Sequence, residues 1–317
     1  MLKPKYISPS SLSLFEKDPG LYYMRYFMGA SGDRTSPAMA CGTGFDCFVK
    51  SYISEGTFDL EAELVRGCTD RRRSGEVRLL DWCRESGSFV FERYKACGAL
   101  GSLLDMAKKR VGAIRFESGV TADVCGVPVY GKPDMFWATP DGLVILDWKV
   151  NGVLGKNGIS PNKGFAREWP SGKRHKASLT TLGDLAFMED LNVSWADQLG
   201  IYALSLLGTP SEAAQCKYVI DQTCGTGVPV AGSRTLMVPA VGESVAFANV
   251  AGEVPFLFPE LRFARFECRI SEEYLTRICE RLVAMWKVVS FGPEHSLFDR
   301  GRAIDAVRSN KDVGFLF

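Results

Sequence analysis

The stretch that most constrains this chain is Gly131–Val150, which reads GKPDMFWATPDGLVILDWKV. It predicts two strands joined by a tight turn, because Pro140-Asp141-Gly142 supplies the fixed and positive φ angles that such a turn requires. Asp134 falls in the first predicted strand, whereas Asp147 and Lys149 fall in the second. Because side chains alternate along a strand, Asp147 and Lys149 share one face and lie about 7 Å apart along the chain.

Charged side chains are unexpected in so apolar a strand. Leu143–Val150 is apolar on both faces until Asp147 interrupts it, and burying a charge costs several kcal/mol unless the charge is paired or bound to a metal. Folding the hairpin back can bring Asp134 next to Asp147 and Lys149. Two carboxylates and a lysine at one strand end predict a divalent-metal site with a positioned cation. A buried salt bridge between Asp147 and Lys149 is the alternative that this stretch leaves open.

The bulk composition describes an ordinary globular chain. Its 317 residues are 46% hydrophobic and 24% charged, with a formal net charge of +1, so any nucleic-acid binding must come from local basic patches. No apolar run approaches the ~20 residues that span a bilayer. The opening MLKPKYISPS has no apolar segment of the signal-peptide type. We therefore expect a cytoplasmic protein that does not contact membranes.

The cysteines and histidines argue against several kinds of site. Ten cysteines are scattered without a C-x-x-C pair, which is typical of small core residues in a reducing compartment. An iron–sulfur or zinc site built from a few of them stays open as an alternative. The two histidines, His175 and His295, disfavour a histidine-rich metal centre or a catalytic triad.

Helical and strand periodicity predicts further elements with polar residues before and after the hairpin in the sequence. Gly42–Ser54 has apolar residues at helical spacing, with Asp46 one step off the apolar stripe. Ala113–Val124 predicts a strand that contains Glu117, so that three antiparallel strands form a meander from about 113 to 150. Trp195–Leu207 predicts a helix with Gln198 and Tyr202 on one face. A strand at 216–221, another at 262–270 and a helix capped by Ser271 and ended by Gly292-Pro293 follow.

Two other segments allow a functional and a structural interpretation. A helix that begins near Ser8 or Ser10 is broken at Asp18-Pro19-Gly20, and the tyrosine-rich helix after it serves either as packing or as a nucleic-acid-facing edge with Lys17 and Arg25. Residues 151–194 lack periodicity and are basic, so they form either a phosphate-binding loop or a plain surface loop. The basic residues of this loop are Lys156, Lys163, Arg167, Lys173, Arg174 and Lys176.

The order of these motifs resembles the PD-(D/E)XK nuclease superfamily, and within it the RecB-like exonuclease branch, which includes CRISPR adaptation nucleases and phage recombination exonucleases. The opening ISPSSLSLFEKDPGLYYMRY is similar to the N-terminal segment of that branch, and CGTGFDCFVKSYI to its G-T-x-x-H helix. GKPDMFW followed by ILDWK resembles the two metal motifs, and QLGIY resembles the Q-x-x-x-Y helix. The resemblance covers about residues 6–222.

This resemblance implies an α/β fold with a restriction-endonuclease-like α-β-β-β-α-β core, whose mixed sheet is flanked by helices. One domain would span 1–317, with a core at about 41–222. Helical and β insertions would decorate that core: a helical insertion at 55–112, the basic loop at 151–194, and a C-terminal β and helix extension at 223–317.

The resemblance also implies roles for the residues of the hairpin. Asp134, Asp147 and the backbone carbonyl of Trp148 would bind Mg²⁺ or Mn²⁺, ions that prefer hard oxygen ligands. Lys149 would orient the attacking water and help to deprotonate it.

Four further residues have implied roles of their own. Gln198 and Tyr202 would order the site and contact a substrate phosphate or the lysine of the second metal motif. Asp46 stands where the branch usually has a histidine ligand, so it would either complete an all-oxygen metal set or weaken the site. Glu117 matches an acidic position of the branch, either as an outer-shell group or as a surface charge.

The implied function is that of a metal-dependent deoxyribonuclease, most simply an exonuclease in recombination or repair, and a phage protein acting in the host cytoplasm would fit that setting. Its partners would be the DNA phosphate backbone and a single-strand annealing or recombination protein. An endonuclease with the same chemistry is indistinguishable by sequence. The alternative is a non-catalytic nucleic-acid- or protein-binding protein on a nuclease scaffold, which the aspartate at position 46 and the long 151–194 segment favour.

Overall fold

A mixed sheet of six strands forms the centre of the fold in the computed structural model. The structure describes residues 2–30, 37–55, 57–68, 77–151, 179–182, 187–225, 246–249, 252–255 and 261–304. Ten strands lie in these ranges: β1 (Val111–Phe116), β2 (Val120–Val124), β3 (Val127–Gly131), β4 (Met135–Thr139), β5 (Gly142–Asn151), β6 (Leu179–Leu182), β7 (Lys217–Gly225), β8 (Ala246–Asn249), β9 (Gly252–Pro255) and β10 (Leu261–Cys268).

The central sheet has the strand order β1-β4-β5-β7-β10-β6. β1 with β4, β4 with β5, and β7 with β10 are antiparallel pairs, whereas β5 with β7 and β10 with β6 are parallel pairs. The parallel register sets Asp147 opposite Ile220 and Lys149 opposite Gln222. β2 pairs with β3, and β8 with β9, in two separate two-stranded sheets.

A short helical segment at 299–304 ends the last described range. Ten further α-helices of the described ranges flank the sheet. They are α1 (Pro9–Lys17), α2 (Pro19–Tyr26), α3 (Pro37–Ile53), α4 (Leu60–Cys68), α5 (Val77–Ala96), α6 (Ala99–Ala107), α7 (Met188–Leu191), α8 (Val193–Leu207), α9 (Pro210–Ala213) and α10 (Glu272–Phe291), followed by a 3₁₀ turn at Ser296–Phe298. Their ends follow local chemistry: the Ser8 and Ser271 hydroxyls accept from the first turns of α1 and α10, and Gly292 follows the end of α10.

The two faces of the sheet bury two separate apolar clusters. Val144, Leu146 and Trp148 of β5 pack in the cluster with α3, α5 and α6, whereas Ile145 packs in the other cluster with α1, α2, α8 and α10. Because strand side chains alternate, Asp147 and Lys149 point to the same face as Ile145. The end of β5 therefore presents two charged residues to α8.

Helix α3 is held against α5 by an unusually close backbone approach. A Cβ atom on Gly44 would lie 2.0 Å from the carbonyl oxygen of Cys83, and one on Gly87 would lie 2.3 Å from the carbonyl carbon of Gly44. No side chain larger than hydrogen fits between the helices at either position. These two glycines set the position from which α3 projects its polar residues toward the sheet.

A buried ion pair joins β7 and β10, and further hydrogen bonds connect it to α6. Arg265 of β10 is fully buried and donates from Nε and Nη2 to the two carboxylate oxygens of Asp221 in β7, both at 2.6 Å. It also donates to Ser102 Oγ at 2.8 Å and to the Ala99 carbonyl at 3.0 Å. The guanidinium thus has carboxylate and neutral acceptors, as a buried charge requires.

The predicted mixed sheet with flanking helices is confirmed. The hairpin turn lies at the predicted place, between β4 and β5, and Gly142 has the positive φ of +130° that the turn predicts. Of the apolar residues at helical spacing in Gly42–Ser54, Phe45 and Val49 are buried in α3, whereas the side chain of Tyr52 is exposed. The basic residues Lys156 to Lys176 lie outside the described residues, as do 152–178 as a whole.

Several predicted boundaries are wrong. Ala113–Val124 is not one strand, because β1 ends before Glu117 and β2 begins after it. The predicted three-stranded meander is also wrong, because β2 pairs with β3 outside the main sheet. Asp134 precedes β4 instead of lying in it. The segment 151–194 is not all loop, since its described parts include β6, α7 and the start of α8, and β1 already begins inside the predicted 55–112 helical segment.

Candidate metal centre

The charged pair of β5 is buried against α8. Lys149 Nζ lies 2.5 Å from Asp147 Oδ2, and Asp147 has only 2% of its side chain exposed. Gln198 bridges the two: its Nε2 donates to Asp147 Oδ1 at 3.0 Å, and its Oε1 accepts from Lys149 Nζ at 2.7 Å. The same Nε2 also donates to the hydroxyl of Tyr202 at 3.0 Å. Four residues predicted as catalytic thus form one connected network.

Asp134 reaches this network from the start of β4. Its Oδ2 accepts from the backbone N–H of Trp148 at 3.0 Å, which fixes the carboxylate at the end of β5. Its negative charge helps to raise the pKa of Asp147. The hairpin therefore brings Asp134 and Asp147 together as predicted, although Asp134 sits on the loop before the strand. The contact of Trp148 here is through its N–H, and the metal-ligating carbonyl stays a prediction.

Lys50 of α3 is a member of the site that the sequence analysis missed. Its side chain is fully buried and its ammonium donates to Asp46 Oδ2 and, at 2.6 Å, to Glu117 Oε1. The same nitrogen lies 3.9 Å from Asp134 Oδ1 and 5.9 Å from the centre of the Trp148 ring. A lysine four residues after an aspartate on a helix usually indicates an exposed ion pair. The sequence feature that could have predicted its burial is the position of Lys50 next to the apolar stripe of α3.

Glu117 occupies a strained position between β1 and β2. Its φ is +42°, a conformation that residues other than glycine rarely adopt, and its N–H donates to the Asp134 carbonyl at 3.3 Å. Its carboxylate accepts from Lys50, from Lys132 and, at 3.1 Å, from Arg66. Glu117 is therefore part of the charge network and not an isolated surface group.

The pKa values show where negative charge is poorly compensated. Burial and the neighbouring Asp134 charge raise the pKa of Asp147 to about 7, against the opposing effect of Lys149. Burial and Asp134 likewise raise the pKa of Asp46, although Lys50 opposes this. Burial also acts to raise the pKa of Glu117, but the charge of Lys50 and the bonds from Lys132 and Lys50 lower it to about 2. The cluster thus resists carrying its full negative charge.

These residues fit a hard divalent cation in type and charge. Carboxylate oxygens are the ligands that Mg²⁺ and Mn²⁺ prefer, and the buried Oδ1 of Asp46 has no hydrogen-bond partner among the described residues. Within the described ranges, however, no three acidic, cysteine or histidine side chains are arranged as a ready metal cage. The ammonium of Lys50 lies among Asp46, Glu117 and Asp134 instead. Asp134 and Asp147 are the pair best placed to hold a cation.

Tyr202 is positioned by close packing against the hairpin. A Cβ atom on Gly131 would lie 2.8 Å from Tyr202 Cδ1, so only glycine allows the ring to approach the end of β3. The ring is mostly buried, and burial raises the pKa of its hydroxyl, with Asp147 adding to the effect. The hydroxyl therefore stays protonated at neutral pH, which allows it to donate to an acceptor at the site.

Comparisons with known proteins leave the function to be inferred from these side chains. None of the helices that the structure describes is both long enough and apolar enough to span a membrane. No protein-family model matches the chain, and no curated protein matches it.

Proposed function

We propose that the protein is a divalent-metal-dependent deoxyribonuclease of the PD-(D/E)XK type, acting as an exonuclease on DNA in recombination or repair. The observation that carries the proposal is the network at the end of β5, where Asp147 is held between Lys149 and Gln198 with Asp134 beside it. A structural salt bridge has no need of a second carboxylate or of a bridging amide. The order of α3, β1, β4, β5, α8 and β7 along the chain supports the same assignment.

The proposal gives each residue of the network a role. Asp134 and Asp147 would hold Mg²⁺ or Mn²⁺, with the Trp148 carbonyl as a further ligand. When bound, the metal lowers the pKa of a coordinated water and stabilises negative charge developing at phosphorus. Lys149 orients the water and offsets phosphate charge.

The amide of Gln198 fixes the lysine, because its oxygen accepts from Lys149 while its nitrogen donates to Asp147 and Tyr202. With its orientation set by these three bonds, Gln198 keeps the ammonium beside the carboxylates. Asp46 and Glu117 lie one step further out and hold Lys50. We propose a cytoplasmic protein that acts on the DNA phosphate backbone, with a single-strand annealing or recombination protein as partner.

The test is digestion of end-labelled linear and circular DNA with Mg²⁺ or Mn²⁺. We expect degradation of the linear form alone, and loss of that activity in Asp147→Asn and Lys149→Met. Asp105→Asn and Lys108→Met are matched controls, because these residues form an ion pair of the same type with side chains 70% and 75% exposed. Full activity of Asp147→Asn would refute the assignment. Cleavage of circular DNA would change it to an endonuclease.

A second candidate function is nucleic-acid binding without turnover on the same scaffold. Lys50 favours it, because its ammonium already lies between the Asp46 and Glu117 carboxylates and near Asp134, where a cation would otherwise be expected. DNA binding without hydrolysis under Mg²⁺, Mn²⁺ or any other divalent metal would support this candidate. The paired Asp134 and Asp147 with Lys149 favour the catalytic one.

A further inference from the structure

A cleft of about 1000 Å³ opens directly beside the candidate metal centre. Gln198 and Tyr202, which contact Asp147 through hydrogen bonds or through each other, form part of its wall. The rest of the wall comes from α1 and the residues just before it, from α2, from the end of β3 with Lys132, from the start of α8, and from Arg281 of α10. A ligand in this cleft would therefore lie against the side of the centre that carries the glutamine and the tyrosine.

Aromatic rings in the cleft are held in place by the backbone. Tyr6 and Tyr130 have ring centres 5.0 Å apart, and Tyr6 is 44% exposed. Their closeness is fixed because Ile7 exchanges backbone hydrogen bonds with β3, donating to the Pro128 carbonyl and accepting from the Tyr130 N–H, both at 2.8 Å. A half-exposed ring fixed in this way is a surface on which an unpaired base can stack.

The ring of Tyr26 also lies in the wall of the cleft, beside a cation. Tyr26 of α2 is half-buried and stacks on Tyr22 at 4.6 Å, and Arg25 precedes it. One face of the Tyr26 ring thus packs on the buried ring of Tyr22. Hydroxyl groups of Ser8, Ser10 and Ser13 line the same cleft and can donate to phosphate oxygens.

The cations of the cleft are either paired with carboxylates or unpaired. Lys132 is paired with Glu117. Arg281 is bound to both Glu16 and Asp197 through its guanidinium, so this group of three leaves one net negative charge in the wall. Lys17 and Arg25, in contrast, pair with no carboxylate among the residues that the structure describes. Both lie in the last turns of their helices, where a cation also offsets the helix dipole. If these cations only offset the helix dipole, replacing them would change the stability of the protein. If they bind phosphate, replacing them would change its affinity for DNA.

We propose that this cleft binds a single strand of DNA, with bases on the tyrosines and phosphates on Lys17 and Arg25. The ligand class rests on the proposed nuclease function. A single strand is favoured over a duplex because stacking on Tyr6 requires a base whose face is not already covered in a helix. The strand would run from the N-terminal helices toward Gln198 and the metal centre.

The test measures binding of a short fluorescent oligothymidine by anisotropy, with EDTA present so that no strand is cleaved. We expect Lys17→Glu/Arg25→Glu to weaken binding by at least about tenfold and to reduce the slope of log K against log salt by about 1.4, since each phosphate contact of a single strand contributes ~0.7. Tyr6→Ala should weaken binding by about tenfold as a stacking contact is lost.

The matched control is Lys109→Glu/Lys287→Glu, which changes the charge equally at two exposed residues outside this cleft. We expect this control to keep at least half of the wild-type affinity. Thermal unfolding checks that each variant is folded, and the exposed Lys17→Glu alone serves if the double variant is not. Unchanged binding by the cleft variants, an equal loss in the control, or tighter binding of duplex would each overturn the proposal.

Failure of the cleft and failure of the nuclease assignment give different results. Hydrolysis of bis-p-nitrophenyl phosphate with Mn²⁺ examines the metal centre with a substrate too small to need the cleft. If wild-type protein hydrolyses it but the cleft variants bind DNA normally, the cleft proposal is wrong and the nuclease assignment stands. If the cleft variants lose DNA binding but wild type hydrolyses neither substrate, the cleft proposal stands and the nuclease assignment is wrong.

Discussion

Replacing Lys50 with methionine should destabilise the protein strongly when no divalent metal is present. Methionine keeps most of the side-chain volume, so the change chiefly removes the ammonium. The side chain of Lys50 is fully buried, and its nitrogen contacts Asp46 and Glu117 and lies 3.9 Å from Asp134. Without it, these carboxylates face one another with less positive charge between them.

The size of the effect follows from the burial of the partners. Removing one member of a buried ion pair typically costs about 3–5 kcal/mol, because the other charge is left uncompensated. Asp46, Glu117 and Asp134 are 21%, 19% and 26% exposed, so water can solvate them in part and the lower end of that range applies. A loss of about 3 kcal/mol corresponds to a fall in Tm of roughly 4–5 °C for a chain of this size, since the unfolding entropy is about 2.1 cal/mol/K per residue.

The assay is thermal unfolding followed by circular dichroism in EDTA, compared with Lys108→Met. Lys108 pairs with Asp105 on the surface, and we expect that control to lose less than about 1 kcal/mol. Adding Asp46→Asn to Lys50→Met should restore part of the loss, since it removes one uncompensated carboxylate. Mn²⁺ should raise the Tm of Lys50→Met more than that of wild type. A Lys50→Met protein as stable as wild type in EDTA would refute this electrostatic account.

Two further predictions concern pH and packing. The pKa of Asp147 is raised to about 7 in the fold, so between about pH 4 and 7 the native state keeps a proton that the unfolded chain has lost. The stability that this proton contributes is therefore full below about pH 4 and disappears as pH rises through about 7. In metal-free urea unfolding, the unfolding free energy of wild type relative to that of Asp147→Asn should fall over that window, and a constant difference would contradict this. Gly44→Ala would place a Cβ atom 2.0 Å from the Cys83 carbonyl oxygen and should lower the free energy of unfolding by about 3 kcal/mol or more. Gly101→Ala, which has open space around it in α6, should leave the free energy of unfolding unchanged or raise it by up to ~1 kcal/mol. Equal unfolding free energies for the two variants would show that the contact between α3 and α5 adjusts.

Local chemistry was enough to predict the elements that carry the candidate site. The turn residues Pro140-Asp141-Gly142 are followed by a strand, and because successive side chains of a strand point to opposite faces, Asp147 and Lys149 share one face wherever the strand packs. The helix-start residues Ser8 and Ser271 accept hydrogen bonds within their own first turns. These features depend on neighbours within a few residues, and such contacts are visible as spacing in a sequence.

Glu117 shows where that local information ends. The strand pattern of 113–124 continues through it, but the structure turns there with a positive φ, because its N–H bonds Asp134 and its carboxylate meets Lys50 and Lys132. No propensity scale favours a glutamate in that conformation. The tertiary contacts impose it.

By itself, then, the sequence determined the β4–β5 hairpin, the shared face of Asp147 and Lys149, and the helix that carries Gln198 and Tyr202, since each follows from backbone periodicity and turn chemistry. Only the tertiary structure decided that Lys50 is buried among carboxylates from α3, from the turn between β1 and β2, and from the loop before β4. A lysine four residues after an aspartate reads as a surface pair until other elements cover it. Burial is a property of the packed chain, and burial is what turns that ordinary ion pair into a buried cation beside Asp134.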